Sequence, residues 1–185
     1  GDRTGRIELG TAVVPLQAQH PSSLARQALS VHAGSGGRLA LGVGPSHHWI
    51  VRDMLGLPYE KPAAYTRDYL EVLNAALAGP GPVDVENDSF TVHNPTVLGA
   101  DSPLPVLVAA LGPVMLQIAG ELADGTVLWM ADEKSIGDHI APKITKAAAD
   151  AGRPAPRIVA GIPVCLCANS EIDAAKERAN RILSE

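Results

Sequence analysis

The sequence predicts an α/β protein with a mainly parallel sheet covered by helices, and three observations carry that expectation. Short runs rich in β-branched residues alternate with longer segments of helical period. Glycine, alanine, valine and proline are abundant, which suits tight βα turns and small-residue helix-on-sheet packing. One run, Arg38 to Val43, is apolar after its first residue and bounded by glycines, as a strand buried on both faces is.

The elements follow in order. Arg6 to Val14 reads as a strand ending at Pro15. Pro21 opens a helix at the first helical position, with Leu24, Ala25, Ala28, Leu29 and His32 on its apolar face, and Gly34-Ser35-Gly36-Gly37 stops it. After the strand at 38–43, prolines 45, 58 and 62 break an irregular stretch. Helical period returns through Tyr65, Tyr69, Val72, Leu73 and Ala76 until Gly79-Pro80. Val83-Asp84-Val85 and Phe90-Thr91-Val92 flank Asn87-Asp88 as a small inserted hairpin. Strand 105–111 then leads to a helix at 113–123 with Val114, Ile118 and Leu122 inward. Strand 126–130 is followed by a helix carrying Ile136, Ile140, Ile144 and Ala148 and closed by Gly152. Residues 157–166 form a last strand, and 171–183 a last helix with Ile172, Ala175, Ala179 and Ile182 on one side.

This gives about five βα units plus the hairpin, all in a single domain spanning 1–185. A closed barrel takes eight strands and about 250 residues. As a barrel the chain is expected to lack material before residue 6 and after 185. An open doubly wound sheet fits the length better, and periodicity does not decide between the two.

Composition narrows the function. The net charge is -5 with no Lys/Arg cluster, and aromatics make up only 3%, so nucleic acid is not an expected partner. No apolar run reaches the roughly 18 residues of a membrane span, and no signal-peptide pattern opens the chain. A cytoplasmic protein without a membrane partner is expected. Cys165 and Cys167 alternate on the last strand and read as small buried hydrophobes.

In a parallel βα fold, ligands bind beyond the carboxyl ends of the strands. One such turn is Gly44-Pro45-Ser46-His47, where Gly42 and Gly44 allow close approach to a flat ring and Ser46 and His47 supply polar groups. His47 is the candidate catalytic residue, as proton donor or hydrogen-bond partner; the alternative is a structural or solvated loop histidine. His47 and His48 have no carboxylate or histidine at ligand spacing, so no metal site is expected. The second turn is Ala110-Leu111-Gly112-Pro113, which starts a helix and aims free N–H groups outward as an anion cradle; a plain tight turn is the other reading. Trp129 at a strand end could line a substrate pocket or pack in the core, and His20 could reach the same cavity or cap its helix. Glu121 and Asp124 read as turn and packing residues. Dinucleotide, P-loop and hydrolase signatures are absent.

At these turns the chain resembles the luciferase-like monooxygenase superfamily, most closely its F420-dependent branch. The resemblance rests on Leu9-Gly10-Thr11-Ala12-Val13-Val14-Pro15, on His20-Pro21, on Gly37-Arg38-Leu39-Ala40-Leu41-Gly42-Val43-Gly44, and on Ala110-Leu111-Gly112-Pro113 through Ala119-Gly120-Glu121-Leu122-Ala123-Asp124-Gly125-Thr126. It implies a TIM barrel, a homodimer, and coenzyme F420 (alternatively FMN) held at the C-terminal mouth. It also implies a bulge at Thr11, Ala12 and Val13 carrying a cis non-prolyl peptide beneath the ring, the Gly44-to-His47 turn along the ring, and the Ala110-to-Pro113 turn at the phosphate. The expected activity is hydride transfer to or from a small organic substrate. An FMN-dependent monooxygenase and a non-catalytic flavin-binding protein are the alternatives.

Overall fold

The computed structural model describes residues 3–97, 99 and 102–183. Its main sheet contains β1 (Leu9–Gly10), β2 (Val14–Pro15), β3 (Leu39–Gly44), β6 (Val106–Ala109), β7 (Gly125–Trp129) and β8 (Arg157–Gly161). The order is β1-β3-β6-β7-β8, with β2 also paired to β3, and every pairing is parallel. The remaining strands, β4 (Gly81–Glu86) and β5 (Thr91–Val97), form the antiparallel hairpin expected from sequence.

Helices α1 (Pro21–Gly34), α2 (Pro62–Leu77), α3 (Pro113–Leu122) and α5 (Ala141–Asp150) bring apolar side chains to the core. Short α4 (Glu133–Ser135) leads through a π-helical turn, Ile136–Ile140, into α5. The core lies between these helices and one face of the sheet. Leu39, Leu41 and Val43 of β3, Val106 and Val108 of β6, and Leu128 of β7 face the helices. The alternate positions, Ala40, Gly42, Leu107 and Val127, face the other way.

That other face is concave. Glu8 precedes β1 at one edge of the sheet and Arg157 opens β8 at the other, yet Arg157 Nη1 donates to Glu8 Oε1 at 2.6 Å. A flat five-strand ribbon would hold these strands roughly 19 Å apart, beyond the reach of the two side chains. The sheet is therefore curled into a partial barrel, and its inner face opens into a cavity of about 190 Å³ lined by Thr11, Ala12, Leu107, Val127 and Val159 among others. The curl excludes the flat, doubly wound alternative.

Several elements differ from the sequence expectation. The strand expected at 6–14 is two short pieces, Leu9–Gly10 and Val14–Pro15, with a cis Ala12–Val13 peptide between them. Val114 is 59% exposed, since the buried face of α3 runs through Leu116, Ile118, Ala119 and Gly120. The strand expected to reach 166 stops at Gly161, where ladder pairing with β7 ends. Beyond it Ile162, Val164 and Leu166 are exposed, and Cys165 is exposed with Cys167 only half-buried, so the cysteines are not core residues. The final helix, α6 (Ile172–Leu183), leaves Ile172 and Ala179 exposed and Ala175 half-buried; the side chain of Ile182 lies outside the described residues. No helix among the described residues is long and apolar enough to cross a membrane.

Candidate cofactor and substrate site

The inner face of β3 is a groove because its inward residues, Ala40, Gly42 and Gly44, are small. A Cβ on Gly42 would lie 1.9 Å from the Thr11 carbonyl oxygen, and one on Gly44 would lie 2.8 Å from Ala109 Cβ and 3.0 Å from Val13 Cγ2. The bulge Thr11-Ala12-Val13 therefore lies in this groove, against the end of β6. Thr11 fastens it: Oγ1 donates to the Gly42 carbonyl at 2.8 Å and accepts from the Gly42 N–H at 2.9 Å. Side chain replaces ladder where the backbone turns away. The glycines thus make room for the bulge, not directly for a ligand. Ala12 at its crest stays exposed toward the concave side.

In the turn after neighbouring β6, Ala110 is buried while Leu111 and Gly112 are exposed, and α3 begins at Pro113. Gly112 caps this helix without any side-chain hydrogen bond, and a Cβ there would meet nothing within 4 Å. The first-turn N–H groups lack intrahelical acceptors and carry the positive end of the helix dipole. His139 braces the turn, its Nε2 donating to the Leu111 carbonyl at 3.0 Å. Nothing in the spacing of the sequence links His139 to this turn; it comes from the π-helical segment after the next strand.

The third component is the turn after β3. Pro45 and Ser46 are half-buried, Ser46 adopts a left-handed φ of 60°, and its carbonyl accepts from Tyr59 Oη at 3.1 Å. His47 is exposed and stacked on Trp49, with ring centroids 6.3 Å apart and planes 18° from parallel. Trp129 ends β7 on the inner face and is 61% exposed. His20 goes elsewhere: its Nδ1 accepts from the Ser22 N–H at 3.3 Å as the cap of α1, and its ring meets Phe90 at 5.5 Å, edge to face. Among the described residues no three His, Cys, Asp or Glu side chains group as a metal site would require.

The signature at 119–126 is structural. Gly120 lies against α5, where a Cβ would sit 2.6 Å from Ala147 Cβ and 2.7 Å from the Ile144 carbonyl oxygen. Glu121 accepts from Arg67 Nη2 at 2.5 Å, and this ion pair holds its carboxyl below the ordinary glutamate range. Asp124 accepts from the Val106 N–H at 2.8 Å and from Arg153 at 3.1 Å, closing the entry to β7. These roles match the turn-and-packing reading.

A flat ring over the Ala12 crest and an anionic tail at the α3 N-terminus fit this arrangement: one component offers an uncharged, closely approachable bed, the other open N–H donors at the start of the helix that follows β6.

A family model described as luciferase-like monooxygenase matches residues 1–185. The 5,10-methylenetetrahydromethanopterin reductase of Methanopyrus kandleri is 30% identical over 193 residues, taking in 94% of this chain and 54% of that protein. The 4-hydroxyprotoasukamycin monooxygenase of Streptomyces nodosus subsp. asukaensis is 35% identical over 126 residues, or 65% of this chain and 33% of that protein. A solved structure of the coenzyme F420 dependent tetrahydromethanopterin reductase from Methanopyrus kandleri superposes with a TM-score of 0.74 at 30% identity, covering 85% of this chain and 50% of that one. The chain spans about half the length of such relatives, or less.

Proposed function

We propose, from the premise that this chain belongs to the luciferase-like monooxygenase family, that its mouth seats coenzyme F420 in an oxidoreductase acting on a small organic substrate. The observation that carries this is the convergence at Gly44: the Thr11-Ala12-Val13 bulge and the end of β6 meet across a missing Cβ, one turn before the uncapped start of α3. The chemistry supplied by the bound coenzyme is hydride transfer at its C5 carbon.

The chain's own residues bind and orient. Thr11, Ala12 and Val13 form the bed for the ring, supported by Gly42 and Gly44. Pro45, Ser46 and His47 run along its edge, where His47, steadied by Trp49, donates or accepts a proton at an imidazole nitrogen. Ala110, Leu111, Gly112 and Pro113 receive the phosphate through main-chain N–H groups, with His139 fixing the Leu111 carbonyl. Trp129 walls the substrate side; His20, taken up by its cap and by Phe90, is outside this pocket. Such an enzyme works in the cytoplasm, and a homodimer is the expected assembly.

Titration of the purified protein with F420 and with FMN, followed by cofactor fluorescence, tests the reading. Saturable F420 binding supports it; tight FMN binding without F420 binding overturns it. That second outcome favours an FMN-dependent monooxygenase, which the 35% identity to a monooxygenase makes the alternative and which oxygen consumption with reduced flavin would reveal.

A further inference from the structure

The part of the mouth built by this chain is short of charged side chains. Four turns follow adjacent strands there, and the segments 39–51, 109–116, 125–131 and 158–170 contain no Asp, Glu, Lys or Arg. In a chain of net charge -5 with 35 charged side chains in all, such spacing is local, not compositional. Large apolar side chains nonetheless stand exposed on this rim: Leu111, Trp129, Met130 and Ile162 are each about half exposed or more.

Trp129 is the fixed member. Register pairs it with Gly161, and a Cβ on Gly161 would lie 2.9 Å from the Leu128 carbonyl oxygen, 3.1 Å from Trp129 Cε3 and 3.6 Å from Cζ3, so the benzo edge of the indole lies against the β8 main chain. Directly after it, Met130 takes a left-handed φ of 54° and donates its N–H to the Gly161 carbonyl at 3.1 Å. A non-glycine residue pays strain for that conformation. The turn thus holds Trp129 as the last residue of β7, propped on glycine and open on its other side.

We propose that this rim selects a neutral, apolar, ring-bearing substrate, and that Gly161 is a positioning residue that sets the indole of Trp129 as its stacking wall. The inference rests on the mouth being the substrate side of the proposed oxidoreductase. A carboxylate brought against Trp129, Met130 and Ile162 would lose water without meeting a lysine or arginine of this chain there, whereas a flat apolar ring gains the Trp129 face.

The chain has two tryptophans, so W49F leaves Trp129 as the sole indole reporter. In that background the protein is titrated with 2-acetylnaphthalene and with 6-acetyl-2-naphthoate, following Trp129 emission. Saturable quenching at least about tenfold tighter for the neutral ketone is the expected result. Equal or tighter binding of the naphthoate overturns the inference. G161V, with a side chain where the indole rests, should weaken the neutral ketone about fivefold or more while F420 binding holds. W129L, which keeps an apolar side chain in place of the ring and whose ketone binding is read by isothermal titration calorimetry because no indole remains, should do the same if G161V does not fold; an unchanged ketone affinity in either folded variant refutes the stacking wall. Loss of F420 binding with ketone selectivity intact would instead sink the cofactor reading and leave this one standing.

Discussion

At the scale of single residues, the glycines separate structural from ligand-facing positions. Gly120 and Gly42 are filled against by protein atoms, whereas the Gly112 site is open. Gly120→Val should therefore cost about 1–3 kcal/mol through overpacking between α3 and α5. Urea unfolding measures it, and an unshifted midpoint would show that the helices do not meet as described. Thr11→Val keeps shape but removes both hydrogen bonds to Gly42, stranding a buried N–H and carbonyl at a cost of about 1–3 kcal/mol. Because that pair fastens the bulge, F420 affinity should fall in the same variant even where the protein stays folded. His47 belongs to a different class: exposed and stacked only on Trp49, it contributes little to stability. His47→Gln should lower kcat by about a hundredfold or more if it handles a proton, while the unfolding midpoint stays put. A kcat within threefold of the parent removes His47 from the proposed chemistry.

Among the elements, α2 and α3 are joined by the Arg67–Glu121 ion pair, whose partly exposed partners make it a modest, pH-dependent contribution. The folded Glu121 carboxyl lies below its ordinary value of 4.5, held there first by the hydrogen bond from Arg67 and then by that from Gln117. Its stabilisation is accordingly complete above pH 4.5 and is lost as the pH falls through the lower folded value. Urea midpoints measured from pH 7 to pH 3 should decline less steeply for Glu121→Gln than for the parent; parallel curves would mean the pair is not formed in solution. The same elements show what was legible beforehand. Helices α1, α2 and α5 bury the very side chains their periodicity nominates, Tyr69, Leu73, Ile144 and Ala148 among them. Helix α3 does so only in part: Ile118 is buried and Leu122 half-buried against the core, but Val114 is exposed, because nearly all its residues are apolar and the choice of face depends on Gly120 meeting α5, a tertiary fact. The bulge was recognisable only by resemblance, since β-propensity runs straight through it. Neither His139 nor Gly161 was legible, for one reason: each acts on a residue of another βα unit, which helix packing brings to His139 and strand register to Gly161.

Taken as a whole molecule, the chain is a curled sheet with helices on its convex side, and its stability is unevenly spread. The residues before Gly161 share one core, whereas past it Val164 is 91% exposed and α6 brings no fully buried side chain among its described residues. Local opening free energy follows buried apolar contact. In the 185-residue chain, amides of β3, β6, β7 and α2 should therefore be the slowest to exchange, and those between Ile162 and Arg181 among the fastest. Chymotrypsin should cut first near Leu166 and leave a fragment ending there that retains the far-ultraviolet spectrum of the folded sheet and helices. Ile162, Val164 and Leu166 extend an unpaired run from the edge strand β8, the kind of edge other chain segments pair with. If exchange from 162 to 181 proves as slow as in β6, that run is covered in solution, and sedimentation would then show whether a second copy of the chain covers it.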